Sequence, residues 1–99
     1  MSTFVTLGGV ARELRYPWKS IKRLKTECGI NLLKGEEGFD AEDPETITAF
    51  LWAGRIWETP ELTRAEVDEW ITLGTLGVLS ESIGAAMSAA IQGDPAPNP

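Results

Sequence analysis

The sequence of 99 residues contains no histidine, one cysteine and one tyrosine. Without histidine the commonest general base of enzymes is missing, and no serine or cysteine lies in a pattern that would activate it. The single cysteine, Cys28, excludes an internal disulfide framework. The sequence also has no phosphate-binding loop and no residues at metal-ligand spacing. We therefore predict a protein that is not an enzyme and uses no cofactor or metal ion.

Two further absences concern location. The chain does not open with a basic stretch followed by an apolar run, so no secretion signal is expected. The most apolar segment, residues 70–93, is interrupted by Glu81 and diluted by glycine, serine and threonine. This composition argues against a membrane span. A cytoplasmic protein that does not bind a membrane is the prediction.

The charge of the chain is unevenly distributed along its length. Although the net charge is −6, residues 1–34 hold seven of the nine basic side chains and two acidic ones, so they carry +5. Residues 35–99 carry −11. If these two parts form separate surfaces, the molecule has a basic end and an acidic end. The chain length predicts one small globular domain, over residues 1–91, and the proline-rich segment 92–99 is expected to be a disordered tail.

The residue pattern predicts an α+β fold that is mostly α, with an N-terminal β-hairpin packed on about four helices. Gly8-Gly9 suits a two-residue turn in a hairpin over residues 3–16. That turn aligns Leu7 with Val10 and places both, with Leu14, on the inner face. Tyr16 is expected to follow on this face. The register would be Thr3 opposite Leu14, Val5 opposite Arg12 and Leu7 opposite Val10.

Capping residues mark the predicted helix boundaries. Pro17 suits the first turn of a helix that ends at Gly29. After an acidic, glycine-rich loop at residues 34–42, Asp43 is the expected N-cap of the second helix. Thr63 and Glu66 have the spacing of a capping box, which predicts a third helix from about residue 64.

Gly74 and Gly77 are expected to bend or break the chain before a last helix of small and apolar residues. Apolar stripes at helical spacing, together with the inner face of the hairpin, predict a single core. Its predicted members are Val5, Leu7, Leu14, Trp18, Ile21, Leu24, Ile47, Phe50, Leu51, Val67, Trp70 and Ile71.

The four tryptophans separate into two predicted pairs. Trp18 and Trp70 lie on apolar stripes and are assigned to the core. Trp52 lies about 140° from Ile47 around the second helix, off the stripe of that helix, and Trp57 follows the helix end. Because aromatic side chains anchor protein interfaces, an exposed partner-binding surface is predicted, with core burial left open for Trp52 and the core edge for Trp57. The surface comprises Trp52, Arg55, Ile56 and Trp57.

The first helix carries a second candidate surface, formed by Lys19, Lys22, Arg23 and Lys25. A row of cations can track nucleic-acid phosphates, but an acidic chain without a nucleic-acid-binding motif favours a solvated face or an acidic protein partner. We therefore predict no nucleic-acid binding. The protein is expected to self-associate, or to bind its partner, through contact between this face and an acidic surface, with charge setting the orientation and apolar residues supplying the affinity. Head-to-tail copies would form rings or filaments. The acidic surface is centred on Asp43, Glu45, Glu66 and Glu69.

The order of these segments resembles that of a known family. The stretch "LGGVARELRYPWKSIKRLKTECGINLL" is followed by the acidic loop, "ITAFLWAGRIW", "PELTRAEVDEWI" and a helix of small residues. Over about residues 3–91 this order is similar to that of the small tail-assembly chaperones of long-tailed, siphovirus-like bacteriophages and of gene transfer agents. The chain departs from the family at Trp52, where tyrosine is common, and at Arg55, where an aliphatic residue is more usual.

The resemblance implies a non-enzymatic viral protein made in the host bacterial cytoplasm. It would bind the tape-measure protein and recruit tail-tube subunits during virion morphogenesis. Members of the family are commonly absent from the finished particle. In that family a longer product made by ribosomal frameshifting accompanies the short one. Two alternatives stay open: a minor tail or connector protein of the virion, and a small DNA-binding regulator that uses the basic helix.

Overall fold

The hairpin and the helices occur in the predicted order. A computed structural model of the protein describes residues 3–30 and 43–91. The described residues form the antiparallel strands β1 (Thr3–Leu7) and β2 (Val10–Leu14) and the four helices of the fold. The predicted α+β, mostly α fold is confirmed. The predicted acidic loop at 34–42 and the predicted tail at 92–99 lie outside the described residues. The helices are α1 (Trp18–Cys28), α2 (Pro44–Arg55), α3 (Arg64–Asp68) and α4 (Leu76–Ile91), with a 3₁₀ turn at Leu73–Thr75.

The Gly8-Gly9 turn fixes the register of the hairpin. Both glycines have positive φ angles, 62° and 82°. Residues with a Cβ adopt such backbone angles only with strain. The inner face buries Val5, Leu7 and Leu14, as predicted. Val10 was predicted on the buried part of this face, but it directly follows the turn, at the end of the sheet, and is 52% exposed. The pairs are those predicted: Thr3 with Leu14, Val5 with Arg12 and Leu7 with Val10.

The predicted caps close the helices. Gly29 ends α1 in the left-handed conformation, the Asp43 side chain accepts the N–H of Glu45 at the start of α2, and Thr63 and Glu66 form a reciprocal capping box. The third helix is shorter than predicted, because the chain leaves α3 at Asp68 and turns before the 3₁₀ segment. The predicted break thus begins before Gly74.

The core lies between the hairpin, α1, α2 and α4, and α2 is its central element. Every residue from Ala49 to Ile56 is buried, so the last two turns of α2 are covered on all sides. A helix in that position needs apolar residues all round rather than one stripe. Of the predicted core, Val5, Leu7, Leu14, Leu24, Ile47, Phe50, Leu51 and Val67 are buried, and Ile21, Trp70 and Ile71 pack against these as half-buried residues.

Trp18 is the predicted core residue that the structure places outside. The side of α1 that faces the core carries Ser20 and Leu24, which are both buried. At about 100° per residue, Trp18 lies about 160° from Ser20 and about 120° from Leu24 around the helix. The indole is therefore 59% exposed. The buried side of α1 predicted from apolar residues alone therefore differs from the observed one. The small Ser20 lies at the centre of the observed buried side, and a stripe drawn through apolar residues omits it.

Candidate interaction surface

The arginines of the chain all lie over tryptophan rings. Such cation–π contacts contribute about 0.5–1 kcal/mol when exposed and more when water is excluded. They also cover the rings, so three of the four tryptophans are occupied by cations of their own chain. Trp52 is flanked by Arg23 and Arg64 at 5.0 and 5.5 Å from its ring centroid, Trp57 by Arg15 and Arg55 at 4.6 and 5.6 Å, and Trp70 by Arg12 at 4.5 Å.

Trp52 is a core residue, and the prediction that it belongs to an exposed surface is wrong. Its side chain is 2% exposed, and its Nε1–H donates to the carbonyl oxygen of Leu62 at 2.8 Å. The chain doubles back after α2, and this connection supplies both the acceptor and part of the cover. The alternative left open for Trp52, core burial, is therefore correct.

Arg55 and Ile56 are also buried, each with 4% of the residue exposed. The Arg55 guanidinium donates to the carbonyl oxygen of Glu13 at 2.6 Å and pairs with the carboxylate of Glu58. A buried cation is tolerated only when it is paired in this way. Trp57 is half-buried and donates from Nε1 to the same carbonyl oxygen at 3.2 Å. These residues join the end of α2 to β2 rather than forming the exposed surface predicted for them.

The same junction is closed by a second set of contacts. The Tyr16 hydroxyl donates to the carbonyl oxygen of Phe50 at 2.6 Å, and the backbone N–H of Arg15 donates to the carbonyl oxygen of Gly54 at 3.0 Å. Burial raises the pKa of the Tyr16 phenol, which therefore stays a neutral donor. A Cβ atom on Gly54 would lie 2.9 Å from Leu14 Cδ2. The absence of a side chain is what allows the helix to approach the strand this closely.

The exposed surface of α1 carries Trp18, Lys19, Lys22 and Lys25, which we call the Trp18 face. Lys22 and Lys25 lie within about 40° of Trp18 around the helix, and Lys19 lies beside them. The predicted exposure of these lysines is confirmed. Arg23 does not belong to the face, because its guanidinium is paired with Glu27 at 2.7 Å, donates to the carbonyl oxygen of Pro60 at 3.0 Å and lies over Trp52. Sequence reasoning missed Trp18 as a surface residue.

A groove of about 200 Å³ lies between the hairpin end and α4. Pro17, which directly precedes Trp18 in the chain, forms part of one wall. The small side chains of α4 form the opposite wall. Residues that line the groove include Leu14, Tyr16, Pro17, Ala86, Ala89 and Ala90.

The acidic side chains predicted to receive the basic face have mixed roles. Asp43 and Glu66 are engaged in the caps of α2 and α3, whereas Glu45 and Glu69 are exposed. Contact between copies of the chain through these charges stays a prediction.

The described residues contain no group of three or more histidine, cysteine, aspartate or glutamate side chains that could hold a metal ion. The half-buried Cys28 contacts the guanidinium of Arg64, with 2.9 Å between Sγ and Nη1. Over residues 3–30 and 43–91, no helix has both the length and the apolar content to cross a membrane.

Comparisons of the chain with models of protein families, with characterised proteins and with solved structures found no match. The likeness to tail-assembly chaperones therefore rests on the order of the sequence segments.

Proposed function

We propose that the protein is a bacteriophage tail-assembly chaperone. It would act in the host bacterial cytoplasm, bind the tape-measure protein and recruit tail-tube subunits during tail morphogenesis. The observation that supports binding as its activity is the exposed tryptophan of the Trp18 face, on a small domain whose other tryptophans are covered. The choice of phage partners is supported by the order of segments along residues 3–91.

An exposed tryptophan distinguishes this surface from ordinary apolar exposure. Single exposed apolar residues are normal on soluble proteins, and Phe4, Val10, Leu73 and Val78 are of that kind here. Tryptophan, in contrast, is among the residues that most often dominate binding energy at protein interfaces. It stands among lysines, which keep the free protein hydrated while they select the charge of the partner.

The rigid junction between α2 and β2 also suits a binding role. Tyr16, Gly54 and Arg55 fix the helix against the strand through hydrogen bonds, of which the one from Tyr16 is buried. The chain reaches the start of α1 directly after this junction, so the orientation of the Trp18 face is set by it. A surface held in a fixed orientation loses less conformational entropy when it binds.

The DNA-binding regulator is retained as a second candidate, because Lys19, Lys22 and Lys25 are exposed on one helix. Its footprint is small, since every arginine of the chain lies over a tryptophan ring. A net charge of −6 also opposes a polyanion.

Coexpression with the tape-measure protein of the same gene cluster tests the proposal. We expect the two proteins to copurify, the tape-measure protein to stay in solution only in their complex, and the complex to retain tail-tube subunits. The protein should be missing from purified virions. Its presence there would identify a minor tail or connector protein, and salt-dependent binding to duplex DNA without tape-measure binding would favour the regulator.

A further inference from the structure

The geometry points to the Trp18 face and the groove at Pro17 as the docking site for an acidic amphipathic helix of a partner protein. The indole of Trp18 would pack on the apolar stripe of that helix, and Lys19, Lys22 and Lys25 would pair with carboxylates beside the stripe. This inference deepens the proposed function and rests on it only in taking the partner to be a protein.

Trp18 differs from the other tryptophans in that its ring is not covered by a guanidinium. Trp52, Trp57 and Trp70 each lie under at least one guanidinium of the same chain. Trp18 has no arginine over its ring and is 59% exposed. It is therefore the tryptophan that can still bury a large apolar area against another molecule.

The charge around Trp18 is positive. Among the described residues, no carboxylate lies within salt-bridge distance of Lys19, Lys22 or Lys25, and the ion pairs between these residues all use arginine. Glu27, the acidic residue of α1, lies about 180° from Trp18 around the helix and is paired with Arg23. Within the described part of the chain these three ammonium groups have no carboxylate partner, and α1 presents no acidic side chain on this side that would repel the carboxylates of a partner.

The length of the Trp18 face matches the repeat of side chains along a second helix. From Trp18 to Lys25 the face runs along two turns of helix, about 10 Å. Acidic residues spaced three and four apart on a second helix repeat over the same length. The groove at Pro17, walled by Ala86, Ala89 and Ala90 of α4, offers an apolar recess for a side chain of that helix. Recognition would follow the helix-in-groove mode.

Two other occupants fit less well. A second copy docked face to face would bring two sets of lysines together, because a two-fold contact uses the same patch on both chains. A nucleic acid would find only three lysines for its phosphates on a chain of net charge −6. A copy docked head to tail would offer mainly Glu45 and Glu69, because Asp43 and Glu66 of the predicted acidic surface are engaged in helix caps. An acidic protein helix meets none of these difficulties.

The test uses the full chain and a synthetic peptide of about 20 residues, long enough for an isolated helix, with a leucine stripe flanked by glutamates. A matched peptide carries glutamine in place of glutamate. Calorimetry should show that the acidic peptide binds more tightly than its matched control and that salt weakens it. Trp18→Ala should reduce the affinity at least tenfold, and Lys22→Glu should reduce it as well.

Val78→Ala is the matched control, because Val78 is another exposed apolar residue and lies on α4 outside the face. It should leave peptide affinity unchanged. Urea melts of each variant separate a loss of binding from a loss of folding, and Trp18→Phe should retain most of the affinity if the aromatic contact is what matters.

Several outcomes would overturn the inference. These are failure of the acidic peptide to bind, tighter Trp18-dependent binding of a single-stranded oligonucleotide, and self-association that Trp18→Ala abolishes. Tape-measure binding that is equal in wild type and Trp18→Ala would refute this docking site while leaving the proposed function intact. Trp18-dependent peptide binding without tape-measure binding would support the docking site and refute the proposed function.

Discussion

Replacing Gly54 with alanine should destabilise the protein, although alanine is the better helix former. The added Cβ would lie 2.9 Å from Leu14 Cδ2 and 3.0 Å from Tyr16 Oη. Both neighbours are buried, and the tyrosine is held by its hydrogen bond to Phe50, so neither moves away freely. Overpacking of this kind costs about 1–3 kcal/mol. Helix propensity returns at most about 1 kcal/mol, and less near the end of α2. We expect a net loss of about 1–2 kcal/mol.

Gly84→Ala is the matched control for this prediction. Gly84 lies inside α4, and among the described residues no atom other than those of its chain neighbours and of the surrounding helix backbone lies within 4 Å of the position that its Cβ would take. The same substitution should therefore stabilise the protein by about 0.5–1 kcal/mol. Urea unfolding followed by circular dichroism measures both variants against wild type, with an unchanged slope of free energy against denaturant showing that the comparison is sound. If Gly54→Ala proved as stable as Gly84→Ala, the close approach of α2 to β2 would not be a constraint on the fold.

Three further outcomes follow from particular contacts. Trp52→Ala should lower the free energy of unfolding by about 3–5 kcal/mol, whereas Trp18→Ala should change it by less than about 0.5 kcal/mol. Equal losses in urea melts would contradict the assignment of Trp52 to the core and of Trp18 to the surface. Thr63→Ala removes the cap of α3 and should cost about 1 kcal/mol in the same melts, while an unchanged midpoint would show that the capping box contributes nothing. Burial raises the pKa of Tyr16 above its ordinary value of about 10, so the folded state retains its proton where the unfolded state loses it, and stability should fall as pH rises above about 10. Because Tyr16 is the only tyrosine, tyrosinate absorbance should appear together with unfolding, and ionisation of the folded protein near pH 10 would refute this reasoning.

The Trp18 face shows how far the candidate site was predictable. Periodicity correctly placed Lys19, Lys22 and Lys25 outside, because lysine is rarely buried without a partner. It assigned Trp18 to the core because the stripe was drawn through large apolar residues. Ser20 lies on the buried side of α1, but because serine is not apolar it could not mark that side in the sequence pattern.

Local chemistry in the sequence determined the elements of this protein. The Gly8-Gly9 turn, the Asp43 cap and the Thr63 capping box involve residues only a few positions apart. Their geometry is therefore determined by the local sequence. They specified the register of the hairpin and the starts of two helices, α2 and α3. These features needed no knowledge of the fold.

Only the tertiary structure decided which tryptophans are covered. Arg23 and Arg64 come from distant parts of the chain to flank Trp52, and the Trp52 indole finds its acceptor in a connection that doubles back after α2. Periodicity can locate an apolar stripe, but it cannot report that a helix is central and covered all round. Burial depends on what the other elements place against a side chain. For that reason Trp52, which was predicted on the surface, is buried in the core, and Trp18, which was predicted in the core, is exposed.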